Sequence, residues 1–269
     1  MENKMKYKEA SFSKKMKSML RVDFRRMLRS RLFYILIACA LVMPILMTVM
    51  MAMMDGSVSV DPQTGVETVM RGPENAWQNI GTLPGGENMG GNEVFMMCNI
   101  NMVFMIVAVF VCLFISDDFR SGYAKNLFTV RVKRGEYVAS KTVMGFICGA
   151  LMLIAYFIGS MLGGAISGLS FDLFGLSVFN VAMCLIAKIL LMLVFVPIFV
   201  LISVGAKQRA WLSICGSLGG GMLLFMMVSM ITPLSSTLMH VLLCAVGGMM
   251  FAFGLGAISK VILRKTSLV

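Results

Sequence analysis

Hydrophobic positions along the chain are concentrated in six long stretches separated by polar segments, a pattern typical of a polytopic membrane protein. Each stretch is close to the roughly 20 apolar residues that a helix needs to cross a hydrocarbon core about 30 Å thick. We therefore predict an all-α fold with six transmembrane helices. The spans run at about residues 32–54, 98–116, 142–169, 177–204, 211–231 and 238–262, within one transmembrane domain of residues 32–269.

The segment before the first span, residues 1–31, has a different pattern. It carries eleven Lys and Arg residues, and its apolar residues recur at helical spacing. This pattern predicts a cytoplasmic basic tail with an amphipathic helix on the membrane surface, where long basic side chains reach the headgroups. The alternative is a basic tail that only orients the first span. The apolar positions are Phe12, Met16, Met19, Leu20, Phe24, Met27 and Leu28.

The distribution of charge gives the expected orientation. Of the 24 Lys and Arg residues, 22 fall in segments that a six-span path places on one side of the membrane. Because basic residues are enriched on the cytoplasmic side, we expect both termini and the loop 117–140 to be cytoplasmic, and the acidic loop 55–97 to lie outside. The net charge of +11 then indicates contact with membrane lipid rather than with nucleic acid.

Composition limits the chemistry that the chain can perform. With 58% hydrophobic residues and a mean hydropathy of +0.86, it has no room for a soluble catalytic domain. It contains no GxxxxGK[ST] phosphate loop, no HExxH motif and a single histidine, His240. We therefore predict that the chain is not an enzyme, has no catalytic or metal-binding residues, and binds no cofactor of its own. We expect His240, near the end of a span, to form an interfacial hydrogen bond.

Lys188 is the one basic residue inside a predicted span. Burying an ammonium there costs at least about 2.5 kcal/mol on insertion scales, so it should face the bundle interior, a partner subunit or a water-filled cavity. Two roles remain open. Lys188 contacts an anionic group of a substrate along its path, or it forms a structural pairing within the membrane.

The loop after the second span carries the most specific pattern. It reads FISDDFRSGYAKNL from Phe114 to Leu127, followed by RGEYVASK from Arg134 to Lys141. This resembles the ABC-2 type permease family of ATP-binding-cassette transporters. In that family an acidic residue, a Gly a few positions later, a short helix, an Arg and a Lys that opens the third span recur at similar spacing. In outline, the resemblance extends over the whole chain.

The resemblance implies that this loop couples the permease to an ATPase. A short helix over residues 118–130 would lie across the inner surface, where a separate ATPase grips and moves it. The alternative is that these are ordinary solvated charges. The candidate coupling residues are Asp117, Asp118, Phe119, Arg120, Gly122, Lys125, Arg134 and Lys141.

The function implied by the resemblance is that of a permease subunit of an exporter in the cytoplasmic membrane. Two ABC ATPase subunits would bind ATP and Mg²⁺, and a second permease, identical or homologous, would complete the path. The long loop after the first span makes the chain similar to small permeases of peptide, bacteriocin-immunity and antibiotic-resistance exporters, which favours a hydrophobic or amphipathic peptide or drug as substrate. The alternatives are a non-transporting membrane partner or regulator, and an intramembrane enzyme.

Overall fold

The computed structural model describes residues 12–60, 67–69, 72–81, 99–129 and 133–265. Residues 1–11 of the predicted basic tail lie outside these ranges. So do residues 61–66, 70–71 and 82–98, which make up more than half of the predicted outer loop.

Helices dominate the described part of the chain, in agreement with the predicted all-α class. They are α1 (Phe12–Arg29), α2 (Arg31–Met53), α3 (Met102–Arg120), α4 (Tyr123–Thr129), α5 (Arg134–Ile166), α6 (Val178–Ala206), α7 (Ala210–Ile231) and α8 (Leu238–Lys265).

Five of these helices are long and apolar enough to cross a membrane: α2, α3, α5, α6 and α8. They coincide with five of the six predicted spans. The remaining predicted span, at 211–231, coincides with α7, whose described apolar part, Ala210–Phe225, is shorter. That α7 also crosses the membrane stays a prediction.

The loop between the second and third spans is shorter than the predicted 117–140. Helix α3 continues to Arg120, and α5 begins at Arg134 rather than near residue 142. The polar residues of this segment are typical of a loop, but their partners lie within the fold. Glu136, for example, accepts a hydrogen bond from the backbone N–H of Lys133 at 3.0 Å and so caps the first turn of α5.

The short helix predicted over residues 118–130 is also shorter, because residues 118–120 belong to α3 and only Tyr123–Thr129 form α4. Gly122 separates the two helices. Its φ of +73° lies in the left-handed region, which a residue without a Cβ adopts at little cost.

The core is built around α6, which packs against α3, α5, α7 and α8, while α2 packs along α5. The α2–α5 contact depends on two glycines four residues apart. A Cβ on Gly159 would collide with the carbonyl oxygen of Leu41 and with Pro44, and a Cβ on Gly163 would lie 3.0 Å from the Cα of Ile45. Small residues at this spacing let two helix backbones approach closely.

At one end of the bundle, part of the loop after α2 folds back onto the helices. It contains two short antiparallel strands, β1 (Val58–Val60) and β2 (Glu67–Val69), and a 3₁₀ helix (Ala76–Asn79). Asn79 donates to Thr48 of α2 at 2.8 Å, and Trp77 donates its ring N–H to the Phe171 carbonyl at 2.9 Å. The opposite end, where α1, α4 and the start of α5 lie, is called here the basic end.

Candidate functional site

One face of α1 positions an acidic side chain against the bundle. Asp23 lies one helical turn from Met19 and one turn from Met27, so the three residues share a face. All three are buried, and α1 packs against α5. Phe24 and Leu28, on other parts of α1, remain exposed. The predicted apolar stripe is therefore divided between a face that packs on protein and residues that are free to contact lipid.

Asp23 belongs to a cluster of four charged side chains from three helices, which we name the charge cluster: Asp23 and Arg26 of α1, Asp118 of α3 and Lys141 of α5. Lys141 Nζ lies 2.8 Å from Asp23 Oδ1 and 2.7 Å from Asp118 Oδ2. Arg26 Nη1 lies 2.6 Å from Asp118 Oδ1 and 3.8 Å from Asp23 Oδ1. Each carboxylate thus contacts both cations.

Burial makes this arrangement sensitive to any single change. The side chains of both aspartates are fully buried, that of Lys141 is 1% exposed and that of Arg26 is 28% exposed. Two carboxylates balance two cations. Removing one partner from a buried pair leaves an uncompensated charge and typically costs about 3–5 kcal/mol, so the cluster fixes the relative positions of α1, α3 and α5.

Neutral donors complete the coordination of the carboxylates. Tyr137 donates its hydroxyl to Asp118 Oδ2 at 3.0 Å, and Ser140 donates to Asp23 Oδ2 at 2.7 Å. Both lie on the first turns of α5 beside Lys141. The early start of α5 therefore matters, because it places Tyr137, Ser140 and Lys141 on a rigid helix instead of a loop.

Aromatic rings connect the charge cluster to α4. The Arg26 guanidinium carbon lies 4.3 Å from the ring centroid of Tyr123, the first residue of α4, and Lys141 Nζ lies 4.4 Å from the ring centroid of Phe114. Cations at this distance from a ring are attracted by its π-face, by about 2 kcal/mol or more when desolvated. Helix α4 is thus held by contact with Arg26, one of the cations that join the long helices.

The surroundings shift the acid–base behaviour of two groups outside the spans. Burial acts to lower the pKa of Arg26, but attraction and hydrogen bonding to Asp118, with a contribution from Asp23, outweigh it and raise this pKa above its usual value. Burial raises the pKa of Tyr123, and the negative charges of Asp23 and Asp118 raise it further. Arg26 therefore stays charged and Tyr123 stays neutral at physiological pH.

The structure divides the eight predicted coupling residues into groups. Asp118, Phe119 and Lys141 are buried, the first and last in the charge cluster, and Phe119 packs edge-on against Tyr137. Asp117, Arg120 and Lys125 are exposed. Gly122 forms the turn before α4, and the half-buried Arg134 lies at the start of α5. Their coupling roles stay predictions.

Four members of the site were absent from the sequence prediction: Asp23, Arg26, Tyr137 and Ser140. A signal for Asp23 exists in the sequence, since an acidic residue interrupts the apolar face between Met19 and Met27. An acidic side chain at such a position requires a buried cation or a group of donors. The other three follow from Asp23 and Asp118 only when the packing of α1, α3 and α5 is known.

Lys188 faces the bundle interior, one of the three environments predicted from its burial cost, and is fully buried. Its ammonium donates to Asn101 Oδ1 at 2.8 Å and to Thr232 Oγ1 at 3.0 Å. Thr232 is the C-terminal cap of α7, so the cation lies where the helix dipole is negative. Asn101 in turn donates to Ser229 at 3.0 Å. These contacts support the structural role, while a contact with substrate stays a prediction.

Two further observations concern other kinds of site. In the described part of the chain, no group of three or more His, Cys, Asp or Glu side chains is arranged to hold a metal ion. His240 accepts a hydrogen bond at Nδ1 from the backbone N–H of Thr237 at 3.2 Å, at the start of α8. The predicted hydrogen-bonding role of His240 is therefore met by a local contact.

Comparison with known proteins gives one family. A family model described as "ABC-2 family transporter protein" matches residues 19–223, which include the charge cluster, α4 and Lys188. No curated protein and no solved structure matches the chain.

Proposed function

The chain belongs to the ABC-2 transporter family, whose members are membrane components of ATP-binding-cassette transporters, and from this premise we propose that it is an export permease driven by separate ATPase subunits. The family assignment covers the membrane component. The partner, the direction of transport and the substrate are our proposal. In it, the basic end faces the cytoplasm, both termini are cytoplasmic, and α7 also crosses the membrane, as the fifth of six spans.

The observation that carries the proposal is the connection between α4 and the long helices on either side of it. Asp118 lies in the last turn of α3, Lys141 lies two turns into α5, and α4 lies between them in the chain with Tyr123 against Arg26. A force applied to α4 therefore acts on α3 and α5 through short, buried contacts. This is the arrangement that a coupling element requires, since a flexible loop would absorb the movement of the ATPase.

We assign the contact with the ATPase to the exposed residues of this segment, Asp117, Arg120 and Lys125. The buried residues Asp118 and Lys141 have a different role, because they have no surface to offer a partner. They hold the segment in position and transmit its displacement. The ATPase supplies ATP binding and Mg²⁺, since the chain has no phosphate loop.

A second permease, identical or homologous, completes the transport path in this proposal. Large apolar side chains on α8 are exposed, among them Met239, Met250 and Phe253 at 70–78%. Flexible thioethers and aromatic rings suit contact with lipid, a second subunit and a hydrophobic or amphipathic substrate. We therefore propose a peptide or drug-like molecule of this character as the substrate.

Co-purification from native membranes tests the proposal. We expect an ATPase with a phosphate loop to co-purify with the wild-type chain, and to be lost from the double variant Arg120→Glu/Lys125→Glu, because the reversed charges repel the complementary surface. The matched control is Arg21→Glu/Arg25→Glu, which reverses two exposed charges of α1 at the same end. This variant should retain the ATPase.

Two outcomes would contradict the proposal. If the wild-type chain is recovered without an ATPase, under conditions that preserve other membrane complexes, the regulator or enzyme hypothesis is favoured. If both variants lose the ATPase equally, the attachment depends on general surface charge and not on the segment 117–125.

A further inference from the structure

We propose that a basic pocket between the start of α5 and the end of α8 binds the phosphate of an anionic phospholipid. The pocket is a cavity of about 590 Å³ whose basic side chains are Lys133, Arg134, Lys260 and Arg264; Phe128, Gly135 and Glu136 complete its wall. This inference goes beyond the proposed function and does not depend on it, since a lipid site would exist whether or not the chain transports anything.

The pocket brings together residues that are far apart in the sequence. Lys133 and Arg134 lie where α5 begins, and Lys260 and Arg264 lie one turn apart in the last turns of α8. The two helix ends lie side by side, since a Cβ at Gly135 would be in ordinary van der Waals contact with Cδ of Lys260, at 3.5 Å. The ends of two membrane-spanning helices therefore form one concave surface.

The charge of the pocket is not compensated within the described part of the chain. The ion pairs between described residues have only Arg26 and Lys141 as cations, so none of the four basic residues of the pocket has a carboxylate of a described residue within 4.0 Å. The one acidic residue in the wall, Glu136, is buried and accepts the backbone N–H of Lys133. Four cations facing one carboxylate create a site for an anion.

The start of α5 adds to this attraction. The first backbone N–H groups of a helix point outward without intrahelical partners, and together with the helix dipole they favour a negative group such as phosphate. The basic side chains supply the specificity for a phosphate, since Arg forms paired hydrogen bonds with its oxygens and Lys acts as a mobile point charge.

Two features favour a lipid over a soluble phosphate. Phe128 contributes an apolar wall, and Phe253, two turns before Lys260 on the same face of α8, is 78% exposed. An acyl chain that lies along this apolar surface would hold its headgroup at the level of the pocket. Basic pockets between the ends of spanning helices are a recognised arrangement for anionic headgroups.

Binding of short-chain lipids to the purified full chain tests the proposal. Phosphatidylglycerol and phosphatidylcholine of equal chain length would be titrated in zwitterionic detergent and followed by native mass spectrometry. We expect a clear preference for phosphatidylglycerol. Its binding by Lys260→Gln/Arg264→Gln should be about 30-fold weaker, because each of the two removed charges contributes about equally to the attraction of an anionic headgroup. The matched control, Arg120→Gln/Lys125→Gln, removes two exposed charges outside the pocket and should change binding less than about twofold.

A competition arm separates the two sources of phosphate. Glycerol 3-phosphate, at constant ionic strength, should not displace phosphatidylglycerol, because it lacks the acyl chains. Displacement at similar concentrations would identify a site for a soluble phosphate compound and overturn the lipid assignment.

Three other results would also overturn it: equal binding of the two lipids, equal weakening by the two double variants, or loss of a co-purifying ATPase from Lys260→Gln/Arg264→Gln with lipid binding intact. The last would identify the pocket as a protein-docking surface. Failure of the proposed transport function would leave the lipid titration unchanged, so the two proposals are tested separately.

Discussion

The charge cluster and the Lys188 site are two buried polar regions that satisfy their charges in different ways. In the charge cluster, two carboxylates lie within 2.8 Å of a buried lysine, and a partly exposed arginine contacts one of them at 2.6 Å. At Lys188, one ammonium is held by an amide and a hydroxyl oxygen, with no carboxylate partner among the described residues.

This difference indicates how each region responds to the loss of one charged side chain. The cluster joins three helices through opposite charges, so loss of one member leaves a charge of the other sign in place. Lys188 has neutral partners, so its removal leaves no charge behind. A charged site with balanced partners is therefore suited to transmit force between helices, whereas the Lys188 site fixes the packing of α3, α6 and α7 around one side chain.

The largest expected effect is that of Asp118→Asn. Arg26 and Lys141 would then share one carboxylate, and we expect the free energy of unfolding in detergent to fall by about 3 kcal/mol, at the lower end of the range for broken buried pairs because Asp23 still pairs with Lys141 and Arg26 is partly exposed. Asp117→Asn, at the adjacent exposed position, should change it by less than about 0.5 kcal/mol. Comparable losses from the two changes would show that the charge cluster contributes no more to the free energy of unfolding than an exposed charge does.

An intermediate effect is expected at the Lys188 site. Here the informative result is which of two substitutions causes the larger loss of stability. Asn101→Leu removes a hydrogen bond to a charged group and should cost about 2 kcal/mol, because the ammonium remains buried. Lys188→Met removes the cation as well, so relief of its burial offsets the lost hydrogen bonds, and we expect a loss of about 1 kcal/mol or less. Chemical unfolding of both variants measures the order. A larger loss of stability for Lys188→Met than for Asn101→Leu would contradict this account. It would show that the fold requires the cation itself.

The smallest expected effect is a pH dependence of stability. It concerns Tyr123, whose ring lies against Arg26 of the charge cluster. Because burial and the two carboxylates raise the pKa of Tyr123 above its usual 10.0, the folded protein retains a proton that the unfolded chain loses. This contribution to stability is complete below pH 10.0 and is lost as the pH rises through the folded pKa. Tyr123→Phe should therefore lose less thermal stability than wild type above this pH. Tyr34→Phe, at an exposed tyrosine of α2, serves as the control; the same gain there would show that the effect is general.

Much of the fold could be predicted because hydrophobic periodicity and charge act locally. Five of the predicted spans coincide with helices of sufficient length. The helices on either side of the second loop extend beyond the predicted spans for a physical reason. A charged residue such as Lys141 is typical of loops in a membrane protein, and only the packing of α1 and α3 against α5 gives it buried partners.

The sequence by itself determined that the chain is a membrane protein, that Lys188 faces the bundle interior, a partner subunit or a water-filled cavity, and that the segment after the second span resembles an ABC-2 coupling loop. These conclusions need only transfer costs, charge distribution and a local pattern. Only the tertiary structure decided which loop residues are buried and which are exposed, that Asp23 and Arg26 belong with Asp118 and Lys141, and that Lys133 and Arg134 share a pocket with Lys260 and Arg264. The reason is distance along the chain. Ionic contacts act over a few ångströms, and residues separated by about a hundred positions meet only when helix packing brings them within that range.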